Sequence, residues 1–107
     1  MGDQYINYPN VYSPYIIILM SKQNNHPHWW VYIIECSDST YYTGITPNIE
    51  QRLQKHNAGK GASYTRGRGP VKLVYSKKFL THAQAAQKEC TIKKLTRQQK
   101  YDIIKSM

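Results

Sequence analysis

The chain is short of almost everything that marks an exported, membrane-embedded or metal-cluster protein. Its 107 residues include only two cysteines, Cys36 and Cys90, with no CxxC pair and no histidine at ligand spacing around either. A zinc site or a disulfide framework is thereby excluded as the basis of the fold, and reduced, partly buried thiols in an intracellular protein are expected. Long apolar runs are missing as well: the longest, Tyr15 to Met20, falls far below the roughly 20 residues that a bilayer span needs. The start has no basic cluster, long apolar stretch or small-residue cleavage site, and Ile6 stands where a myristoylation signal needs Ser or Thr. These absences predict a cytoplasmic protein with no membrane contact. Acidic residues are scarce too, with six Asp and Glu against 15 Lys and Arg, a net charge of +9.

What is present is unevenly placed. Residues 1–28 hold one cation, Lys22, and one anion, Asp3, so the whole basic surplus falls on residues 29–107. A basic surface attracts polyphosphate and steers nucleic acid toward itself, although the same charge could simply keep a surface solvated. Residues 1–28 also contain three of the five prolines and four of the ten tyrosines, with no sustained period of 2 or 3.6. They read as a loosely ordered extension whose apolar patch, Tyr15 to Leu19, could pair as an edge strand or pack on the domain. Residues 29–107 then make one domain with a single small core, as a chain of 12.5 kDa permits.

From Trp29 to Cys36 the chain is almost wholly apolar, β-branched or aromatic, the composition of a strand buried on both faces. A turn at Ser37 to Thr40 leads to a second strand, Tyr41 to Thr46, ended by Pro47. Thr46 is placed to cap a helix from Pro47 to Asn57, with Ile49 and Leu53 as its apolar face. Residues 58–70 hold four glycines with Lys60, Arg66 and Arg68, the composition of a flexible basic loop. Val71 to Phe79 resumes a strand. Thr81 with Gln84 and Thr96 with Gln99 have capping-box spacing and open helices from His82 to Leu95 and from Arg97 to Lys105, with Tyr101 and Ile104 facing inward. The order β β α β α α predicts an α+β fold, an antiparallel sheet flanked by helices.

Chemistry concentrates in five residues. Tyr32 and Tyr42 can act together only on one face of the hairpin, which requires a three-residue loop, Ser37 to Ser39, with a bulge that sets Tyr42 opposite Ile34. Strand tyrosines are also ordinary packing residues. Arg52 and His56 are four apart on one helix face, where a planar donor fork and a group that trades protons near neutrality could meet one phosphate, or could be plain surface. Glu89, among Ala85, Ala86, Cys90 and Ile92, is a carboxylate on the core side of its helix, costly unless it ligates a metal or pairs with Arg52 or Lys93. One carboxylate is enough for Mg²⁺, which keeps water for the rest of its shell.

The ordered set of Val31 to Cys36, Tyr42 to Thr46, Arg52 with His56 and Asn57, Gly59 to Arg68 with Tyr64 and Thr65, Pro70 to Tyr75, and Glu89 with Ile92 to Leu95 resembles the GIY-YIG nucleases, in their small stand-alone bacterial form. The resemblance implies a three-stranded antiparallel sheet flanked by helices and metal-dependent, single-step hydrolysis of DNA by water. It assigns water activation to Tyr32, phosphate holding to Tyr42, charge stabilisation to Arg52, tuning of Tyr32 to His56 and a Mg²⁺ or Mn²⁺ ion to Glu89. A tyrosine base also needs nearby cations or the metal to lower its ordinary pKa of about 10. Two positions depart from the pattern, Trp30 for glycine and Thr43 for isoleucine, and no asparagine follows Asn57 to serve as the family's further phosphate contact, leaving Gln98 or Gln99 as substitutes.

Lys60, Tyr64, Arg66, Arg68 and Lys72 are the expected nucleic-acid contacts, with Tyr64 either stacking on an exposed base or packing under its loop. No obligate protein partner is expected. The competing reading is a nucleic-acid-binding module that needs no strong catalysis, and Glu89 is the residue such a module would not require.

Overall fold

A computed structural model describes residues 28–106; the extension at residues 1–27 lies outside the described residues. The order is β1 (Trp29–Glu35), β2 (Tyr41–Thr46), α1 (Ile49–Asn57), a 3₁₀ turn (Ser63–Thr65), β3 (Lys72–Phe79), α2 (His82–Lys93) and α3 (Arg97–Lys105). The three strands form one antiparallel sheet in the order β2-β1-β3. The apolar run of β1 therefore occupies the centre, where both faces need covering.

Strand alternation divides the core in two. Tyr32, Ile34 and Cys36 pack with Ile49 and Leu53 of α1 and with Val71 and Leu73. Val31 and Ile33 pack on the opposite face with Tyr75, Ala85 and Ile92 of α2, and Ile104 of α3. Leu73 and Tyr75 are two apart yet serve opposite faces, because β3 carries an extra residue where Ile33 pairs with Tyr75 and Ile34 with Leu73. That bulge reverses the strand's parity, so one short strand feeds both cores.

Several local expectations need correction. The cap of α1 is Asn48, whose side chain accepts the Gln51 N–H at 3.1 Å, while Thr46 Oγ1 accepts the Asn48 N–H and the helix starts at Ile49. Pro47 thus precedes the cap, where its missing N–H costs nothing. Thr96 and Gln99 form a full capping box. Thr81 caps α2, but Gln84 Oε1 accepts from the N–H of Leu80, so that box is only half closed, and α2 ends at Lys93, short of Leu95. Tyr101 stays exposed with the Lys105 ammonium 5.5 Å from its ring centre, leaving Ile104 as the inward residue. Cys36 is buried as expected and Cys90 is exposed.

Candidate functional site

The hairpin loop decides whether the two tyrosines meet. Cys36 N–H donates to Thr40 at 2.8 Å around Ser37–Ser39, with Ser39 at φ 68°, and the register sets Tyr42 opposite Ile34. Asp38 closes the turn by accepting from Thr40 N–H at 3.1 Å and from its hydroxyl at 2.6 Å. Tyr32, Ile34 and Tyr42 consequently share the α1 face, and the Tyr32 and Tyr42 rings lie 6.5 Å apart.

On that face the Tyr32 hydroxyl is a meeting point. His56 Nε2 lies 2.9 Å from it, and Arg52 Nε donates to it at 3.4 Å. The His56 ring is also 5.4 Å from that of Tyr42. Tyr32 and His56 are 2% and 1% exposed. The ring of Tyr32 can fold this closely over β2 because residue 44, its partner across the ladder, is glycine.

Burial dominates the electrostatics. It pushes the Tyr32 phenol up to about 12, against the lowering influence of Arg52 and with small further rises from Tyr42 and Glu89. The protein's own cations therefore do not win over desolvation, which leaves the metal as the other expected source of a lowered phenol pKa. Burial, aided by Arg52, holds His56 down to about 4, so its imidazole is neutral at physiological pH. Arg52 is held above its ordinary value chiefly by its bond to Tyr32. The resting site is thus a neutral phenol and a neutral imidazole beside one fixed cation.

Glu89 lies on α2, the helix that packs on the Val31 and Ile33 face of the sheet. Its carboxylate is 21% exposed, pairs with Lys93 at 3.2 Å and contributes to raising the Tyr32 pKa. Of the two pairings weighed for it, Lys93 is the one formed. No group of three or more His, Cys, Asp and Glu side chains is arranged to hold a metal among the described residues. A hard cation here would rest on one protein carboxylate, with water and phosphate oxygens completing its shell, which suits Mg²⁺.

The basic loop is less loose than its composition suggested. Thr65, 1% exposed, closes a 3₁₀ turn against His56, and Asn57 Oδ1 accepts the Val71 N–H at 2.8 Å, tying the end of α1 to the start of β3. Lys60 and Arg66 face solvent. Arg68 pairs with Asp38 and lies 4.3 Å over the Tyr64 ring, which also stacks on Tyr42 at 6.0 Å, while Tyr64 stays 40% exposed. Lys72 lies 3.8 Å from Glu35. Gln98 bonds Asp102 and Gln99 caps its own helix, both through exposed bonds.

Sequence reasoning placed Asn57 and Thr65 in the family pattern without giving either a role, and did not single out Gly61. Their signal was the short polar run from Asn57 to Thr65, which composition alone presents as a flexible loop.

Comparison with known proteins agrees with this fold. A family model described as the GIY-YIG catalytic domain matches residues 28–102. The chain is 54% identical over 77 residues to a UPF0213 protein of Clostridium perfringens, covering 72% of this chain and 83% of that one. It is 53% identical over 70 residues to a UPF0213 protein of Halobacterium salinarum, covering 65% and 91%. A solution NMR structure of an E. faecalis protein matches with a TM-score of 0.55 and 39% identity, over 77% of this chain and 88% of that one.

Proposed function

Starting from a chain that belongs to the GIY-YIG family, a nuclease-type catalytic domain, we propose a divalent-metal-dependent endonuclease that hydrolyses phosphodiester bonds in DNA, single-stranded and branched forms included. The observation that carries the proposal is the convergence of Arg52 and His56 on the buried Tyr32 hydroxyl, with the Tyr42 ring 5.4 Å from that of His56. Tyr32 takes the proton of the attacking water while handing its own to His56 Nε2. At rest that transfer is strongly uphill, since the phenol is near 12 and the imidazole near 4. Arrival of the substrate phosphate favours it, because negative charge beside the pair stabilises an imidazolium. Arg52 offsets the charge that builds on phosphorus-bound oxygens, and Tyr42 orients the phosphate. Glu89 would hold a Mg²⁺ or Mn²⁺ ion, which would supply neutralisation of the developing negative charge and would lower the phenol pKa.

Lys60 and Arg66 are exposed and meet the backbone, and Arg68 and Lys72 join by exchanging weak exposed pairs for phosphate. The proposal locates the activity in the cytoplasm, in keeping with two free thiols. Among the described residues no helix is long and apolar enough to cross a membrane.

The test is cleavage of labelled single-stranded, duplex and branched DNA, and of RNA, by wild type and Glu89→Gln with Mg²⁺, Mn²⁺ or EDTA. Cutting that needs both metal and Glu89 is expected. Binding without cutting on every substrate would replace the proposal with a binding module.

A further inference from the structure

The proton arrangement around His56 can be worked out from its two ends. Arg52 can only donate, and its Nε–H points at the Tyr32 oxygen at 3.4 Å. The phenol hydrogen must therefore go elsewhere, and in the resting site Tyr32 is 2% exposed. His56 Nε2, 2.9 Å away, is the acceptor at hand. A neutral imidazole that accepts at Nε2 carries its hydrogen on Nδ1. That Nδ1 lies 2.8 Å from Thr65 Oγ1.

Thr65 completes the chain. Its hydroxyl donates to the carbonyl of Ala62 at 2.9 Å, and its own N–H donates to the same oxygen at 3.1 Å. With its hydrogen committed to an acceptor-only carbonyl, Oγ1 is left to receive from Nδ1. The opposite sense, with Nε2–H pointing at Tyr32, would put two donors on the phenol oxygen and leave a buried phenol hydrogen unpaired, which is costly. The ring is further fixed by Gly61, where a Cβ would lie 2.4 Å from Nδ1.

We propose that Thr65 is a positioning residue of this site: its hydroxyl takes the hydrogen bond of His56 Nδ1 and so holds the imidazole in the tautomer whose bare Nε2 faces the Tyr32 hydroxyl. In the step it serves, the O–H bond of Tyr32 breaks and an N–H bond forms at Nε2, leaving an imidazolium whose other proton stays on Nδ1 against Thr65. Besides Thr65, the polar and charged groups bordering the ring are Tyr32 on β1, Tyr42 on β2 and Arg52 on α1. None of the three accepts at Nδ1. The catalytic meaning of the tautomer rests on the endonuclease reading; the tautomer itself does not.

The test combines nitrogen NMR of ¹⁵N-histidine-labelled protein with cleavage kinetics, for wild type, Thr65→Ser and Thr65→Val. Wild type and the serine variant are expected to show His56 with a protonated, pyrrole-like Nδ1 and a pyridine-like Nε2. The valine variant, nearly isosteric but without an acceptor, should move the proton to Nε2. Its kcat should drop by about tenfold to a hundredfold, the usual size for an outer partner, with KM little changed and the serine variant close to wild type. A wild-type Nε2–H tautomer would overturn the proposal without any mutant having to fold. A valine variant that folds and keeps both the tautomer and kcat would overturn it as well. Absence of cutting by wild type together with the Nδ1–H tautomer would count against the endonuclease reading alone and still support the role given to Thr65.

Discussion

Gly44 lies directly across the ladder from Tyr32, and the phenol folds over it so closely that a Cβ at residue 44 would sit 2.5 Å from the phenol oxygen and 2.7 Å from the carbon that bears it. The glycine that ends the run Tyr42, Thr43, Gly44 is thus a steric requirement of the tyrosine that ends Trp30, Val31, Tyr32. Gly44→Ala should displace the Tyr32 ring, lower cleavage by at least about tenfold and cost roughly 1–3 kcal/mol, as overpacking usually does. Denaturant unfolding and a cleavage assay on the same preparation check both.

Removing only the hydroxyl separates chemistry from fold. Tyr32→Phe leaves the ring in place but leaves His56 Nε2 buried without a donor, at a cost of about 1–3 kcal/mol. Cleavage should fall by about 10²–10⁴, the range for loss of a general base, while DNA binding measured by anisotropy stays near wild type. A variant that still cuts would remove Tyr32 from the mechanism.

Stability should weaken on the acid side. His56 titrates near 4 in the folded chain against an ordinary 6.5, so the unfolded state binds more protons between those values. The stabilisation is complete above about pH 6.5 and is lost as pH falls through about 4, amounting to about 3 kcal/mol. Unfolding midpoints measured from pH 7 to 4 should fall in wild type and fall less in His56→Gln. Cleavage should keep its neutral proton acceptor over the same range down to about pH 4.

Thr43 occupies the place of the family's isoleucine, on the face toward α2, and its Oγ1 is the buried side-chain polar atom that lacks a partner among the described residues. An unsatisfied buried hydroxyl costs about 1–3 kcal/mol, so Thr43→Val, similar in shape and well suited to a strand, should raise stability by about 1 kcal/mol. Thermal unfolding with unchanged cleavage is the expected result; a lower midpoint would mean that the hydroxyl has a partner in solution.

The exposed cations of the loop should act through phosphate alone. Lys60→Ala and Arg66→Ala should each weaken DNA binding about uniformly across sequences and reduce the slope of log affinity against log salt by about 1. Titrations at several salt concentrations check this, and an unchanged slope would put the residue outside the interface.

Much of this protein was legible before any coordinates. The apolar block from Trp29 to Cys36 had to be a central strand because nothing else buries both its faces, and the capping pair Thr96 and Gln99 marked the start of α3 correctly. The three-residue hairpin loop followed from the need to set Tyr32 and Tyr42 on one face, and Arg52 and His56 from helical spacing. These are local periodicities, which the chain carries by itself. The bulge that sends Leu73 and Tyr75 to opposite faces, the Gly44 clearance, the Thr65 anchor and the raised Tyr32 pKa were decided only by tertiary structure. Each depends on what an element remote in sequence brings within a few ångströms. Desolvation in particular is a property of the assembled core: the same cations that would depress a phenol in water are outweighed once the ring is buried, and no spacing of residues along the chain records that balance.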